Sequence, residues 1–433
     1  MTTGQKAAPT REGGMATARR SRHLLLVVLI LVSVRAFTPD LAVGSQDRPI
    51  GHQSIQALWL AAYAAVAAGL LFNGSLGHRR IQRPPIPLLA VPVIALASVA
   101  WSVAPVVTLE RAVYLTLTVT VAALIWANFS LIQMVRALRD AAVLAALASL
   151  LAIVLAPERA ADALVQDAYR GIFTQKNLLG RFMALGLLAQ ATHRALTGRR
   201  LFSLASTAVM ALLGLTLTLS ASATGLLVAV GLVALVVGVS RITTSEAGGL
   251  AIFMTAVAGS CAIIVGSSPR LVAIGLGAIG KDPTLTSRTH IWDLVWQALS
   301  DNILLGFGYG AFWRGLEGPS GPIWRALDYP VAHAHNGFLD VWLQLGLSGI
   351  IVVAVLLVGT LRRCVGLVLQ QQNAEPTALV ALLTFIVLYN INESNLFAAN
   401  SLYTLLLVYV VLESHQRRPV PAEAAAPIRP NGG

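Results

Sequence analysis

A histidine stands at residue 335, where a polar stretch, His333-Ala-His335-Asn336-Gly, gives way to an apolar run that continues through Asp340 to Gly346 and Gly349. Imidazole ordinarily titrates near neutrality, so this position can take up and release a proton at the edge of an apolar segment. Two roles are open to it: a general base toward a substrate hydroxyl, or a structural histidine bonded at a helix N-terminus. Four cations fall at comparable boundaries: Arg111 after Glu110, Arg170, Lys176 and Arg288. A planar guanidinium can clamp phosphate oxygens through paired hydrogen bonds and stays charged throughout. The competing reading is that these chains snorkel to lipid headgroups or pair with Asp162, Asp167 or Asp293. Asn177, Asn336 and Asp340 either orient such a site or satisfy helix ends, and Glu393 is a second candidate base, between the last two apolar runs. His290, His333 and His335 suggest a metal site, but His-x-His without an acidic or thiol partner at suitable spacing is a weak ligand signal, and no metal is expected. Trp292, Trp296, Trp313 and Trp324 suit either interfacial anchoring or stacking on sugar.

The elements that must position these groups are membrane helices. The chain has 433 residues, 56% of them hydrophobic and 12% charged, and its mean hydropathy is +0.73. A soluble domain of this size would need more surface charge. Apolar runs long enough to cross ~30 Å of hydrocarbon recur about twelve times. They lie near 23–38, 55–73, 86–103, 112–133, 141–157, 178–194, 201–219, 223–240, 250–266, 337–359, 377–392 and 397–413. Basic residues in short loops are retained on the cytoplasmic side. Arg19, Arg20 and Arg22 therefore place the N-terminus inside. Alternate loops from there carry Arg79, Arg80 and Arg83, then Arg136 and Arg139, Arg194, Arg199 and Arg200, Arg241, Arg362 and Arg363, and Arg417 and Arg418. The net charge of +12 is thus a topology signal, and no nucleic-acid partner is expected. The first helix reads as retained, since no small-x-small cleavage site follows it. Cys261 and Cys364 fall at different depths and support no disulfide framework.

One helical domain, 23–414, is expected between cytoplasmic ends at 1–22 and 415–433 that lack apolar periodicity. The longest connection, 267–336, lies on the outer side and is the place to look for function. Within it, Ile291, Leu294, Val295, Ala298 and Leu299 recur at helical spacing, with Thr286 or Ser287 as a cap. The run Gly306-Phe-Gly308-Tyr-Gly310 then breaks that helix, and it lacks the preceding strand of a dinucleotide fingerprint.

His335-Asn336, nine residues, Gly346, two residues and Gly349 resemble the hallmark of the O-antigen ligase and exopolysaccharide polymerase superfamily of bacterial membrane glycosyltransferases. Trp101-Ser102-Val-Ala-Pro105 followed by Glu110-Arg111 is similar to that family's early outer loop. Tyr169-Arg170-Gly171-Ile-Phe173-Thr-Gln-Lys176-Asn177-Leu-Leu-Gly180 resembles the segment entering its middle helices. Ser287-Arg288-Thr289-His290-Ile291-Trp292, with Gly306 to Gly310, resembles the loop segment whose arginine contacts the donor; Ser287 departs from the glycine many members carry there. The likeness covers roughly residues 95–410. It implies an all-α bundle of the class C glycosyltransferase type in the inner membrane, with both termini cytoplasmic and the site in the periplasm. It further implies an enzyme without metal or cofactor that takes a polyprenyl-diphosphate-linked oligosaccharide donor, because nucleotide sugars do not reach that face. His335 would be the base and Arg288 the catalytic cation, with Arg170, Lys176 and Arg111 on the diphosphate and inversion at the anomeric carbon. Lys176-Asn177 favours polymerisation of exopolysaccharide or O-antigen repeat units beside a flippase and a chain-length regulator; ligation of glycan to a lipid A core acceptor is the alternative. A lipid-linked glycan transporter is disfavoured, because the spans are nearly free of charge and show no related halves.

Overall fold

The computed structural model describes residues 11–36, parts of 59–68, and 83–163, 165–200, 203–241, 285–370 and 374–417. The expected span at 250–266, Cys261, loop residues 267–284 and most of the second span lie outside them. Among the described residues the chain is helical, without a strand. In order these helices are α1 (Arg11–Ser33), α2 (Ile86–Ala97), α3 (Pro105–Asn128), α4 (Leu131–Leu155), α5 (Pro157–Ala160), α6 (Lys176–Leu196), α7 (Leu204–Leu219), α8 (Ala223–Arg241), α9 (Leu285–Ser300), α10 (Gly321–Leu327), α11 (Gly337–Gln370), α12 (Ala374–Asn392) and α13 (Leu402–Gln416). By length and apolar content α3, α4, α11 and α12 can each cross a membrane, and α2, α7 and the first part of α8 are shorter apolar helices.

Three boundaries differ from the sequence reading. The run expected to span 112–133 is cut after Asn128, and α4 starts at Leu131 once the Gln133 side chain accepts the Ser130 backbone N–H at 2.8 Å. Helix α1 reaches back to Arg11, into the end expected to be irregular, through residues such as Arg, Ala and Met that favour helix. Helix α9 begins at Leu285, so Thr286 and Ser287 lie inside its first turn.

The bundle is built as a lipid-facing structure. On α4 the inward residues are small, Ala141, Ala142, Ala145 and Ala146, while Leu144, Leu147, Leu151 and Val154 point outward. Small residues let helix backbones approach where apolar bulk would gain nothing over lipid. Gly186 of α6 shows how close: a Cβ there would meet the Ala142 Cβ at 2.5 Å. Helices α6, α12 and α13 lie innermost, buried on nearly every side. At one end of the bundle Arg139 is joined to Asp140 and His193, and Arg363 and Arg417 bind the C-terminal turn of α13 and Glu375. These are the residues read as inward-facing; the long loop lies at the opposite end.

That loop has a core of its own. Ile291, Val295 and Leu299, one face of α9, pack with Phe307, Phe312, Ile323 and Val331 against Leu339 and Leu343 of α11. Helix α11 breaks at Gly346 (φ 64°, ψ −161°), and the break frees backbone groups for the loop. The Phe307 and Gly308 N–H groups donate to the Leu343 and Gln344 carbonyls at 2.8 and 3.0 Å, and the Leu347 N–H donates to the Ile303 carbonyl at 2.9 Å. A Cβ on Gly346 would stand 2.2 Å from the Leu304 carbonyl oxygen, in a backbone region that only glycine occupies readily. Gly346→Ala is therefore expected to cost about 2 kcal/mol or more. Thermal unfolding in detergent would read this as a fall in midpoint, with Gly359→Ala, where a Cβ meets nothing within 4 Å, as the control.

Candidate active site

The site forms where α6, α12 and α13 end or begin and the loop closes over α11. Asn336 caps α11: its Oδ1 accepts the Phe338 and Leu339 N–H groups at 3.0 and 3.1 Å, and its own N–H donates to Ser394 Oγ at 3.1 Å. His335, one residue earlier, has φ +50°, a left-handed conformation that costs energy unless its surroundings impose it. They do. Asp340 accepts the Ala334 N–H at 3.2 Å and the Trp313 indole N–H at 2.7 Å, and Trp292 donates its indole N–H to the Ala334 carbonyl at 2.9 Å. Trp324 similarly holds the Val331 carbonyl at 2.7 Å. Three of the four singled-out tryptophans thus act as struts of the histidine loop, while Trp296 packs edge-on against Trp342.

The His335 ring lies 4.2 Å from that of His333, and its Nδ1 is buried without a hydrogen-bond partner, 4.0 Å from Glu393 Oε2. Glu393 is the hub. Its Oε1 lies 3.6 Å from Arg288 Nη2 of α9 and 3.5 Å from Asn177 Nδ2 at the start of α6. Burial by itself would raise the Glu393 carboxyl, but Arg181, His333, Arg288 and His335 outweigh it and hold the group below its usual range. Burial, then His333, pushes His335 down to about 4 against the pull of Glu393. The imidazole is consequently neutral at pH 7, and the 4.0 Å approach is no ion pair; a small rotation would make it an Nδ1–H to carboxylate hydrogen bond. The sign follows for stability: the unfolded imidazole, near 6.5, binds protons that the folded one refuses, so stability declines as pH falls from 6.5 toward 4.

The sequence placed His335, Arg288, Asn177 and Glu393 in separate segments, and the structure brings all four together. Asn336 and Asp340 stand beside them in positioning roles. Arg170 donates its Nε to the Arg159 carbonyl at 3.1 Å, and Lys176 reaches the Ala221 carbonyl at 3.4 Å while its N–H donates to Asp162 at 2.8 Å. Arg111 is bonded to the Gly310 carbonyl, against the glycine run whose positive-φ Gly308 and Gly310 pass close to Ser102 and Arg111. In this structure it supports the loop. His290 is exposed; the histidines that approach a carboxylate are His333 and His335, whose nitrogens lie with a Glu393 oxygen within 4.8 Å of one another. These three could reach one metal ion, and the Arg288 guanidinium, 3.6 Å from the same carboxylate, would compete with it.

Arg181 was missed by the sequence reading. It is buried on α6 with its guanidinium 4.5 Å from the centre of the Tyr403 ring. The signal was available: an arginine inside an apolar span is costly unless it is used.

Residues 207–354, which include Arg288, His335, Gly346 and Gly349, match a family model described as O-antigen ligase. The chain is also 29% identical over 223 residues to the exopolysaccharide production protein ExoQ of Rhizobium meliloti (strain 1021), covering 49% of this chain and 50% of that protein. It thus spans about half the length of the curated relative it matches. The apolar helices that can cross a membrane, the matching segment that runs through the glycine break of α11, and this relative all support a likeness to the O-antigen ligase superfamily.

Proposed function

We propose that the chain polymerises polyprenyl-diphosphate-linked repeat units into an exopolysaccharide or O-antigen at the periplasmic face of the inner membrane. The observation that carries this reading is the convergence of Arg288, Asn177, His335 and Glu393 from four segments onto one buried point. A small rotation that brings His335 Nδ1–H onto Glu393, now 4.0 Å away, would fix that tautomer and leave the Nε2 lone pair to take the proton of an acceptor hydroxyl. The hydroxyl oxygen bonds to the anomeric carbon from the face opposite the diphosphate, the carbon–oxygen bond to phosphate breaks, and the polyprenyl diphosphate leaves with the electron pair. Arg288 neutralises the charge that grows on it, and Arg170 and Lys176 are the further cations that would bind the diphosphate. The named role of ExoQ in exopolysaccharide production favours a polymer over transfer to a lipid A core. Purified protein given a lipid-linked oligosaccharide should build longer lipid-linked glycans; product made only when lipid A core is added would establish ligation instead.

Two further outcomes test this reading. Because His335 stays neutral down to about 4, kcat/KM for the donor should hold as pH falls through 6.5 and drop only near the lower value. An acid limb centred at 6.5 would mean that the base is another group. For topology, a cysteine at Glu317, which is exposed on the loop, should react with a membrane-impermeant thiol reagent in outer-permeabilised cells. Ser320 is buried and would be a poor reporter. Labelling at Arg199 with protection at Glu317 would reverse the orientation.

A further inference from the structure

Glu393 faces cations from two directions that differ in kind. Arg288 belongs to the loop helix α9 and its side chain is partly exposed. Arg181 belongs to α6, one of the three innermost helices, and is almost fully buried. Its guanidinium rests over the Tyr403 ring, and its Nε and Nη1 have no hydrogen-bond partner, as is also true of the nearby Tyr389 hydroxyl. It follows Asn177, whose side chain reaches Glu393 at 3.5 Å, by one helical turn on α6, and it stacks on Tyr403 of α13, so it stands on the side of α6 that carries the contact to the carboxylate.

We propose that Arg181 is a positioning residue, the permanent counter-ion that keeps Glu393 a carboxylate against His335 when Arg288 turns from Glu393 to the donor diphosphate. A buried carboxylate left without a cation would take up a proton and no longer accept from His335 Nδ1. The groups that face Glu393 are Arg181 and Asn177 from α6, Arg288 from α9, His333 and His335 from the loop, Tyr389 from α12 and Tyr403 from α13. Of these only Arg181 is both permanently charged and buried in the bundle. Its charge is also the largest opposing influence on the burial of Glu393. The proposal rests on the glycosyl-transfer reading only for what Arg288 does; the ionisation of Glu393 can be measured without any reaction.

The test is an infrared pH titration of the full chain in detergent, with the Glu393 carboxyl band identified by its loss in Glu393→Gln. Arg181→Gln should raise the pH at which Glu393 protonates by about 1 to 3 pH units, and Arg181→Lys should return most of that shift. Arg288→Gln should leave Glu393 ionised at neutral pH, an arm that does not depend on Arg181→Gln folding. An unshifted Glu393 in Arg181→Gln, or a protonated one at neutral pH in Arg288→Gln, would overturn the proposal. If the titrations come out as expected but no glycan is made from lipid-linked donor, the counter-ion role stands and the functional reading fails. In active protein, Arg181→Gln should move the acid limb of kcat/KM upward. A rise in donor KM with the pH profile unchanged would make Arg181 a substrate ligand and reject the counter-ion role.

Discussion

His335→Asn and His335→Gln should each reduce glycan formation by about 10² to 10⁴ while leaving a folded protein that still binds donor, the range expected when a general base is removed. The two variants divide the structural demand. Asparagine tolerates the left-handed backbone that residue 335 adopts (φ +50°), and glutamine retains more of the reach of imidazole; neither can accept a proton near neutral pH. The measurement is product formation from purified lipid-linked donor and acceptor, with thermal stability and donor affinity followed in parallel. Turnover within a few-fold of wild type in either folded variant would make His335 structural. The base would then be sought at Glu393, whose carboxylate is held ionised beside it.

Arg288→Lys should lower kcat/KM by roughly 10- to 100-fold at unchanged expression, which corresponds to losing one charge-assisted hydrogen bond of about 1.5–3 kcal/mol. Lysine keeps the charge but not the planar fork. In the structure Arg288 approaches Glu393 through one nitrogen, Nη2 at 3.6 Å, which leaves the rest of the fork for phosphate oxygens. An arginine that merely snorkels to headgroups would tolerate lysine, so near-normal activity in this variant would remove Arg288 from the site. Donor binding measured alongside turnover separates a weakened ground state from a transition state that has lost its counter-charge.

Glu393 and Arg181 show why conservative thinking about the site has to include the helix ends as well as the loop. The carboxylate buried at this junction meets opposite charge from the loop through Arg288 and from the bundle through Arg181. The same junction explains the glycine of the histidine motif. Gly346 does no chemistry; by breaking α11 it lets Ile303, Leu304, Phe307 and Gly308 bond to the helix backbone, and α9, which carries Arg288, packs its core face on α11 beside that break.

Much of this architecture could be read before any coordinates. Apolar runs matched to the hydrocarbon thickness pointed to an all-helical chain, because in lipid every backbone polar group must be satisfied within its own segment; of about twelve such runs, four helices among the described residues are long and apolar enough to cross a membrane. The amphipathic face of α9 was legible from its spacing, and so was the helix start at Asn336. His335 and Arg288 stood out through the likeness of their segments to the O-antigen ligase superfamily; by residue type alone each could equally be a helix-end histidine or a snorkelling arginine. What the chain order could not supply was which boundary meets which. Glu393 comes 58 residues after His335 and reaches it only because α11 and α12 return the chain to the same end of the bundle. Arg111, which has the same residue type and setting as Arg288, is turned onto the Gly310 carbonyl, since the glycine run packs against it. Tryptophans that spacing alone would assign to lipid or sugar are spent on backbone carbonyls and on Asp340. Residue types and hydrophobic length are local properties written along the chain; the partner each polar atom finds is decided by packing between distant segments, and only the tertiary structure carries that.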